Sequence, residues 1–430
     1  MKTHKSRSSS LNRYSRRLVG LESLERRTVL AGSVMAELSG PTGGLLTLNG
    51  DADDNQLVIS GTGTPGTVVV RGALSGDDAS SATKVGISTE PVTFTNVTGI
   101  EFKLGAGDDA VLVTDLNLEG GLSGNLGAGD DRFVISGNDS TTAQMTLNDE
   151  AELEIGPVSI AGDIDLSTGA GDDVVRMVGG AGDENLIEIT GDVTLNTGAN
   201  DDTIVLRRAT AGSVTIAAGT SDDRVTLRGL EVAGTLSVNT GRGDDQLELR
   251  NIETATLEMA TGGGDDEVSA RLNNVTATTA DIRTGRGSDK LEIRDSLFTA
   301  LTLRLGTGND KAALLDVQVE GTLTASGGAG NDHLSLDNVT AVDAVLNTGI
   351  GNDSIQLIDS EFDDLEMDLG DGNDRLTVEG TTATAFALAS SKGKDMVKDR
   401  GDNEIPGLED LTEKKNSDKK NSGKSSSGKK

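Results

Sequence analysis

The chain has 430 residues, a formal net charge of −32, no cysteine and only 2 % aromatic residues. Disulfides, thiolate metal sites and thiol catalysis are thereby excluded. So acidic a chain will neither seek nucleic acid nor settle on an anionic membrane surface, and no stretch reaches the roughly 18 apolar residues of a membrane span.

The charge is unevenly spread. Residues 1–30 carry a net +6 and residues 413–430 a net +5, which leaves −43 on the body between them. In chain order, residues 1–32 read as an export or leader segment, basic at first and then LESLERRTVLAG. Leu21, Glu22, Leu24, Glu25, Arg27, Leu30 and Ala31 resemble the Leu-Glu-x-Leu-Glu-x-Arg-x-(Leu)-Leu-Ala signature of many exported planctomycete proteins. That resemblance implies a secreted or cell-surface location; the competing expectation is a plain basic tail.

Residues 33–104 show short β-branched runs between Gly, Pro and Ser clusters, with a rough copy of the later repeat at Gly50–Asp54. They are expected to form the first irregular coils and a cap. From residue 105 to 395 one five-residue word recurs, Gly-x-[Gly/Asn/Ser]-[Asp/Asn/Ser]-Asp, twelve times from Gly105 to Asp374. From Gly198 onward its steps are 21, 22, 21, 23, 21, 22, 21 and 21 residues, a period that means one structural unit repeated in space. Between words the apolar residues alternate in three short bursts, as in Leu247 and Leu249, then Ile252, then Leu257 and Met259. Such bursts predict an all-β fold, a parallel β-helix (β-solenoid) with one coil per 21–22 residues, capped at its N-terminal end. About 14 to 16 coils would make a rod about 65–75 Å long.

Two irregularities have expected explanations. The 42-residue gap from Gly127 to Gly169 spans two periods, with Asn148 where a corner glycine should stand, and predicts a degraded intervening coil. The 29-residue step after Gly169 predicts a protruding loop around Gly179–Asn185. Residues 396–430 fade into a Lys/Ser-rich tail that cannot bury a core.

The word itself carries the chemistry. Its glycines permit positive φ, and its final residue is always aspartate: Asp109, Asp131, Asp173, Asp202, Asp223, Asp245, Asp266, Asp289, Asp310, Asp332, Asp353 and Asp374. The residue before it is Asp in the first seven copies, then Ser288, then Asn309, Asn331, Asn352 and Asn373. Coils stacked about 4.8 Å apart would bring like charges to a spacing where each pair repels by about 0.9 kcal/mol in water. A dication between corners would relieve that repulsion, and flexible all-oxygen ligation suits Ca²⁺ better than Mg²⁺. Alternatively, each Asp accepts hydrogen bonds from its own turn, as in Asx-turns.

GGAGNDHLS at Gly327–Ser335 resembles the Gly-Gly-x-Gly-x-Asp-x-apolar-x repeat of RTX (haemolysin-type) calcium-binding proteins. The resemblance implies Ca²⁺ held by the final Asp of each word and by turn carbonyls. Here the word comes once per 21–22 residues rather than every nine, and its opening Gly is often Thr: Thr168, Thr197, Thr240, Thr261, Thr284 and Thr348.

Arg207, Arg228, Arg250, Arg271 and Arg294 recur nine residues after the first glycine. They are either a basic stripe for an anionic partner or are neutralised by neighbours such as Glu248 and Glu292. With only two histidines and no local Ser/His/Asp set, catalysis is not expected. The resulting expectation is an exported calcium-binding solenoid, structural or adhesive, with extracellular polysaccharide or cell-envelope components as further partners. The rival is a polysaccharide-active β-helix enzyme or its glycan-binding accessory module.

Overall fold

The computed structural model describes residues 32–40, 44–72, 83–136, 157–180 and 186–408, with the backbone alone for 267–273. The leader, Asn148, residues 181–185 of the expected loop and the part of the expected 396–430 tail beyond residue 408 lie outside those residues. Residues 396–408 instead continue the solenoid, Met396–Asp399 pairing in parallel with Arg375–Glu379 and Ile405 and Leu408 lying buried in the core. The described chain is an all-β parallel β-solenoid of about 12 turns.

The strand Arg224–Arg242 is one complete coil bent round three faces. The first face turns Val225 and Leu227 inward, the second Leu230 and Val232, and the third Leu236, Val238 and Thr240. Period-two alternation buries every second residue of each face, and a corner resets the phase. The next coil repeats this in parallel register: Leu227 pairs with Leu249, Leu230 with Ile252 and Leu236 with Leu257. Like side chains therefore stack on like, and one aliphatic column runs through the molecule. Each buried Leu or Ile contributes about 2 kcal/mol from its removal from water. Aliphatic side chains make up most of the column, with Phe102 and Phe133 stacked at 5.8 Å and Phe298 and Phe362 the other buried rings.

The three corners are built differently. The first is the repeated word. The second, ten residues after its opening glycine (twelve in the 23-residue repeat), holds a residue at positive φ in coil after coil: Arg208, Gly229, Asn251, Asn274, Asp295, Asp316, Asn338, Asp359 and Gly380. Asn, Asp and Gly tolerate the left-handed region best, so this column is a backbone requirement. The sequence carries it as an Asn/Asp/Gly column beside the arginines. The third corner begins as Gly162, Gly191 and Gly212 and gives way to register shifts such as Val232/Thr235 and Val319/Thr322.

Three expectations are corrected. No coil intervenes across the 42-residue gap: Gly127 pairs directly with Gly169. The contact is so close that a Cβ at Gly169 would fall on the Gly127 carbonyl, so the two glycines stack with no room for a coil between them. The count is accordingly about 12 turns rather than 14 to 16. The early copy of the word is also shifted by one, because Asp54 and Asn55 occupy the places of Asp108 and Asp109. At that end the staircase gives way to antiparallel pairs: Ser33–Leu38 with Gly44–Asn49, Gln56–Gly61 with Val68–Gly72, and Val68–Gly72 with Val92–Phe94.

Candidate functional site

At each repeated corner the chain reverses so tightly that neighbouring coils touch backbone to backbone. At Gly243, φ is 131°, and an added Cβ would land on the carbonyl oxygen of Ser221 one coil below. Glycine there is required twice over, by conformation and by space. Asn200 and Ser221, which replace that glycine in two coils, do hold positive φ of 84° and 91°.

The tight reversal aligns two hydrogen-bonded ladders that run in opposite directions. On the inner ladder, the backbone N–H of one corner Asp donates to Oδ1 of the corner Asp one coil later. The links run from Asn55 to Asp109, then Asp131, Asp173, Asp202, Asp223 and Asp245. They continue through Asp266, Asp289, Asp310, Asp332, Asp353 and Asp374 to Asp395, with all distances between 2.7 and 3.2 Å. On the outer ladder the preceding residue reaches the other way: Asp108 N donates to Asp54 Oδ1, Asp130 N to Asp108 Oδ1, and so on to Ser288 N on Asp265 Oδ1. Asn309, Asn331, Asn352 and Asn373 resume it above Ser288. The aspartates thus cap a neighbouring coil and not their own turn, which corrects the Asx-turn expectation. The donor that each one satisfies lies 21 or more residues away in sequence.

The twelve inner aspartates named from sequence form one buried column, from Asp109 to Asp374, each no more than 3 % exposed. In every one of the twelve, Oδ1 takes the ladder bond while Oδ2 is buried with no hydrogen-bond partner. An unpaired buried carboxylate oxygen is costly, so it calls for a proton or a cation. Burial pushes these carboxyls upward: Asp131 to about 8, Asp202, Asp223 and Asp310 to about 7, and Asp109 and Asp245 to about 6. The ladder N–H pulls each one down, and the carboxylates on adjacent rungs push it up again. Asp173, Asp266, Asp289, Asp332, Asp353 and Asp374 are raised for the same first reason.

Six coils place a threonine hydroxyl near the carboxyl. Thr168, Thr197, Thr240, Thr261, Thr284 and Thr348 each donate to a carbonyl of the next coil, at 2.6 to 3.3 Å. A hydroxyl has one proton, so a threonine that serves the carbonyl has none left for Oδ2. It offers the carboxyl only a lone pair, which suits a protonated Asp or a shared cation. In the other coils Leu104, Leu126, Ala218, Leu305, Gly327 or Leu369 stands at that place.

At Gly327 no side chain occupies that place. A Cβ there would lie 2.6 Å from both Asp332 Oδ2 and the Thr348 carbonyl oxygen. A cavity of about 10 Å³ adjoins it, lined by Leu303, Leu305, Leu334, Asp332 and Thr348 among others. Its walls are mostly apolar, with Asp332 and Thr348 supplying the polar edge, and its volume is about that of one water. This is also the copy whose sequence fits the calcium-binding repeat best. Among the described residues no group of three or more His, Cys, Asp or Glu converges as a metal cluster, so any ion would draw on carbonyl and hydroxyl oxygens as well. The stacked, buried Asp ladder is suggestive of ion binding.

Comparison with protein-family models and with curated proteins found no match.

Proposed function

We propose that this protein is an exported, calcium-binding β-solenoid that serves as a stiff structural or adhesive element outside the cell. The observation that carries the reading is the column of twelve buried, unpartnered Oδ2 oxygens. Repeating one coil makes a rod rather than a cleft, and a ladder about 60 Å long is what the inter-strand spacing implies. A rod whose strands are all tied in register resists bending, and cations along the corner would add stability by binding the folded form alone. Asp332 beside the Gly327 cavity is the first residue to hold Ca²⁺ on this reading, with the other eleven aspartates sharing the role. The carboxylates are periodic and none forms a local pair set apart from the repeat, so the proposed role is non-catalytic.

Calorimetric titration of the full chain with Ca²⁺, together with thermal melts, tests this reading. Saturable heat, a melting temperature that rises in millimolar Ca²⁺, and weaker binding by Asp332→Asn are expected. Identical melting in excess chelator and in millimolar Ca²⁺ would leave hydrogen-bond capping as the sole role of the column.

A further inference from the structure

The arginine column on the first face is unequally neutralised. Strand register stacks Arg207 on Arg228 and Arg228 on Arg250. The next rung holds Asn273, not Arg271, because a register shift in the 23-residue repeat displaces Arg271 from the column; Arg294 resumes it one coil higher. Arg228 Nη2 donates to both oxygens of Glu248, at 2.8 and 2.7 Å, and Arg294 is taken by Glu292. Among the described residues Arg207 and Arg250 have no ion pair, and Nε of both Arg207 and Arg228 is buried without a partner. Burial, then Arg228 and Arg176, push the Arg207 guanidinium below its ordinary value. Arg224 adds an exposed positive charge to the same face, and Arg208 stands at its edge. Among the described side chains, Glu248 opposes this group on the first face, Glu292 is taken up by Arg294, and Glu231 and Glu253 are turned round the second corner.

The position of the stripe matters on so acidic a chain. Five residues of strand separate each arginine from the aspartate corner of its own coil, about 16 Å of extended chain. That is about twice the Debye length at physiological ionic strength, so the acidic corner is largely screened from it. Guanidinium groups with free N–H edges recognise carboxylates and sulfates. Residues 203–251 contain no aromatic residue, so these coils offer no aromatic platform for bases or for neutral sugars.

We infer that Arg207, Arg228 and Arg250 form a docking stripe for an anionic polysaccharide, whose acid groups pair with guanidinium groups on successive rungs. This rests on the extracellular structural reading and names its partner's chemistry. The partner sits on the first face, away from the Asp column, so the two can be tested apart.

The test uses the full chain in chelator, with polygalacturonate as the probe and neutral dextran as the control, followed by biolayer interferometry. Binding to polygalacturonate alone is expected, weakening steeply as salt is raised. The triple variant R207A/R228A/R250A should bind at least tenfold more weakly, and R207K/R228K/R250K should retain most of the affinity. Glu248→Ala releases Arg228 and should tighten binding two- to fivefold, whereas a purely structural Glu248 would only lower the melting temperature. Thermal melts of each variant separate lost docking from lost folding.

Wild-type affinity in a folded triple alanine variant overturns the inference. So does binding that appears only when Ca²⁺ is added, since that would put the polymer on the acidic corner through bridging cations. Self-association that the same triple variant abolishes, without polymer binding, would make a second copy of this chain the partner instead. Polymer binding in chelator, with no Ca²⁺ binding heat and no melting shift in millimolar Ca²⁺, would sink the calcium reading and leave this one standing.

Discussion

Below Gly285 each repeated corner carries two aspartates; above it each carries one, beside Ser288 or an asparagine. Both halves make the same ladders. In the upper half Asn331 N donates to Asn309 Oδ1 at 2.8 Å, as Asp244 N does to Asp222 Oδ1 in the lower half. The asparagines add a side-chain link of their own, from Asn331 Nδ2 to the same oxygen at 2.9 Å. The outer position therefore needs no charge, and at Ser288 the ladder is interrupted before the asparagines resume it. The inner position never makes that exchange across its twelve copies; Asn55 at the first rung only donates its backbone N–H to Asp109 Oδ1, and its own Oδ1 has no partner. What the inner position retains is a second, buried oxygen that can take a proton or a metal.

The comparison breaks most completely where the backbone itself is blocked. Gly243→Ala would push a Cβ into the Ser221 carbonyl, and a loss of more than about 3 kcal/mol is expected, read as a collapse of the urea midpoint. A tolerated Gly243→Ala would mean that the coils are not in close register there. Next in size is the inner column. Asp245→Ala strands the Asp223 N–H without a partner and should cost about 2–4 kcal/mol, whereas Asp245→Asn keeps an acceptor and should cost under about 1 kcal/mol. Equal losses from the two variants would show that the second oxygen, and not the ladder bond, is the essential one.

The pH dependence follows from the raised carboxyls. The folded column holds protons up to about 6 to 8, whereas the unfolded chain releases them near 3.8. The folded state therefore binds more protons between those values. Its stability from this source is complete below about pH 4 and is lost as pH rises through 6 to 8. In chelator the melting temperature should fall by about 5–10 °C between pH 5 and pH 8. Ca²⁺ added at pH 8 should restore it if metal replaces protons. A flat profile would mean that the column is ionised and paired throughout. The smallest effect belongs to the outer ladder: Asp222→Asn with Asp244→Asn should change stability by no more than about 0.5 kcal/mol. A large loss would show that the lower half uses its extra carboxylates structurally.

The solenoid and its three faces were legible from the repeat because period-two bursts at a fixed 21–22-residue interval admit few other folds. The twelve aspartates were legible as a column for the same reason. Other features were hidden by their length scale. Asp109 and Asp131 are 22 residues apart, and nothing local says that one caps the other's backbone. The direct stacking of Gly127 on Gly169 could not be read from a gap of two periods, because period counting cannot tell an inserted coil from an excursion. Arg271 likewise belongs to the arginine column by counting and leaves it by register.

The amino-acid sequence by itself determined that a coil would repeat, which face of each burst would turn inward, and that every turn would carry a carboxylate. Those are local matters of periodicity and backbone freedom. Only the stacked fold decided what the carboxylates do: one oxygen is spent on the coil below and the other is sealed from water without a partner. Burial and cross-coil hydrogen bonds exist only between residues that tertiary packing brings together, and they turn a run of acidic turns into a candidate site for ions.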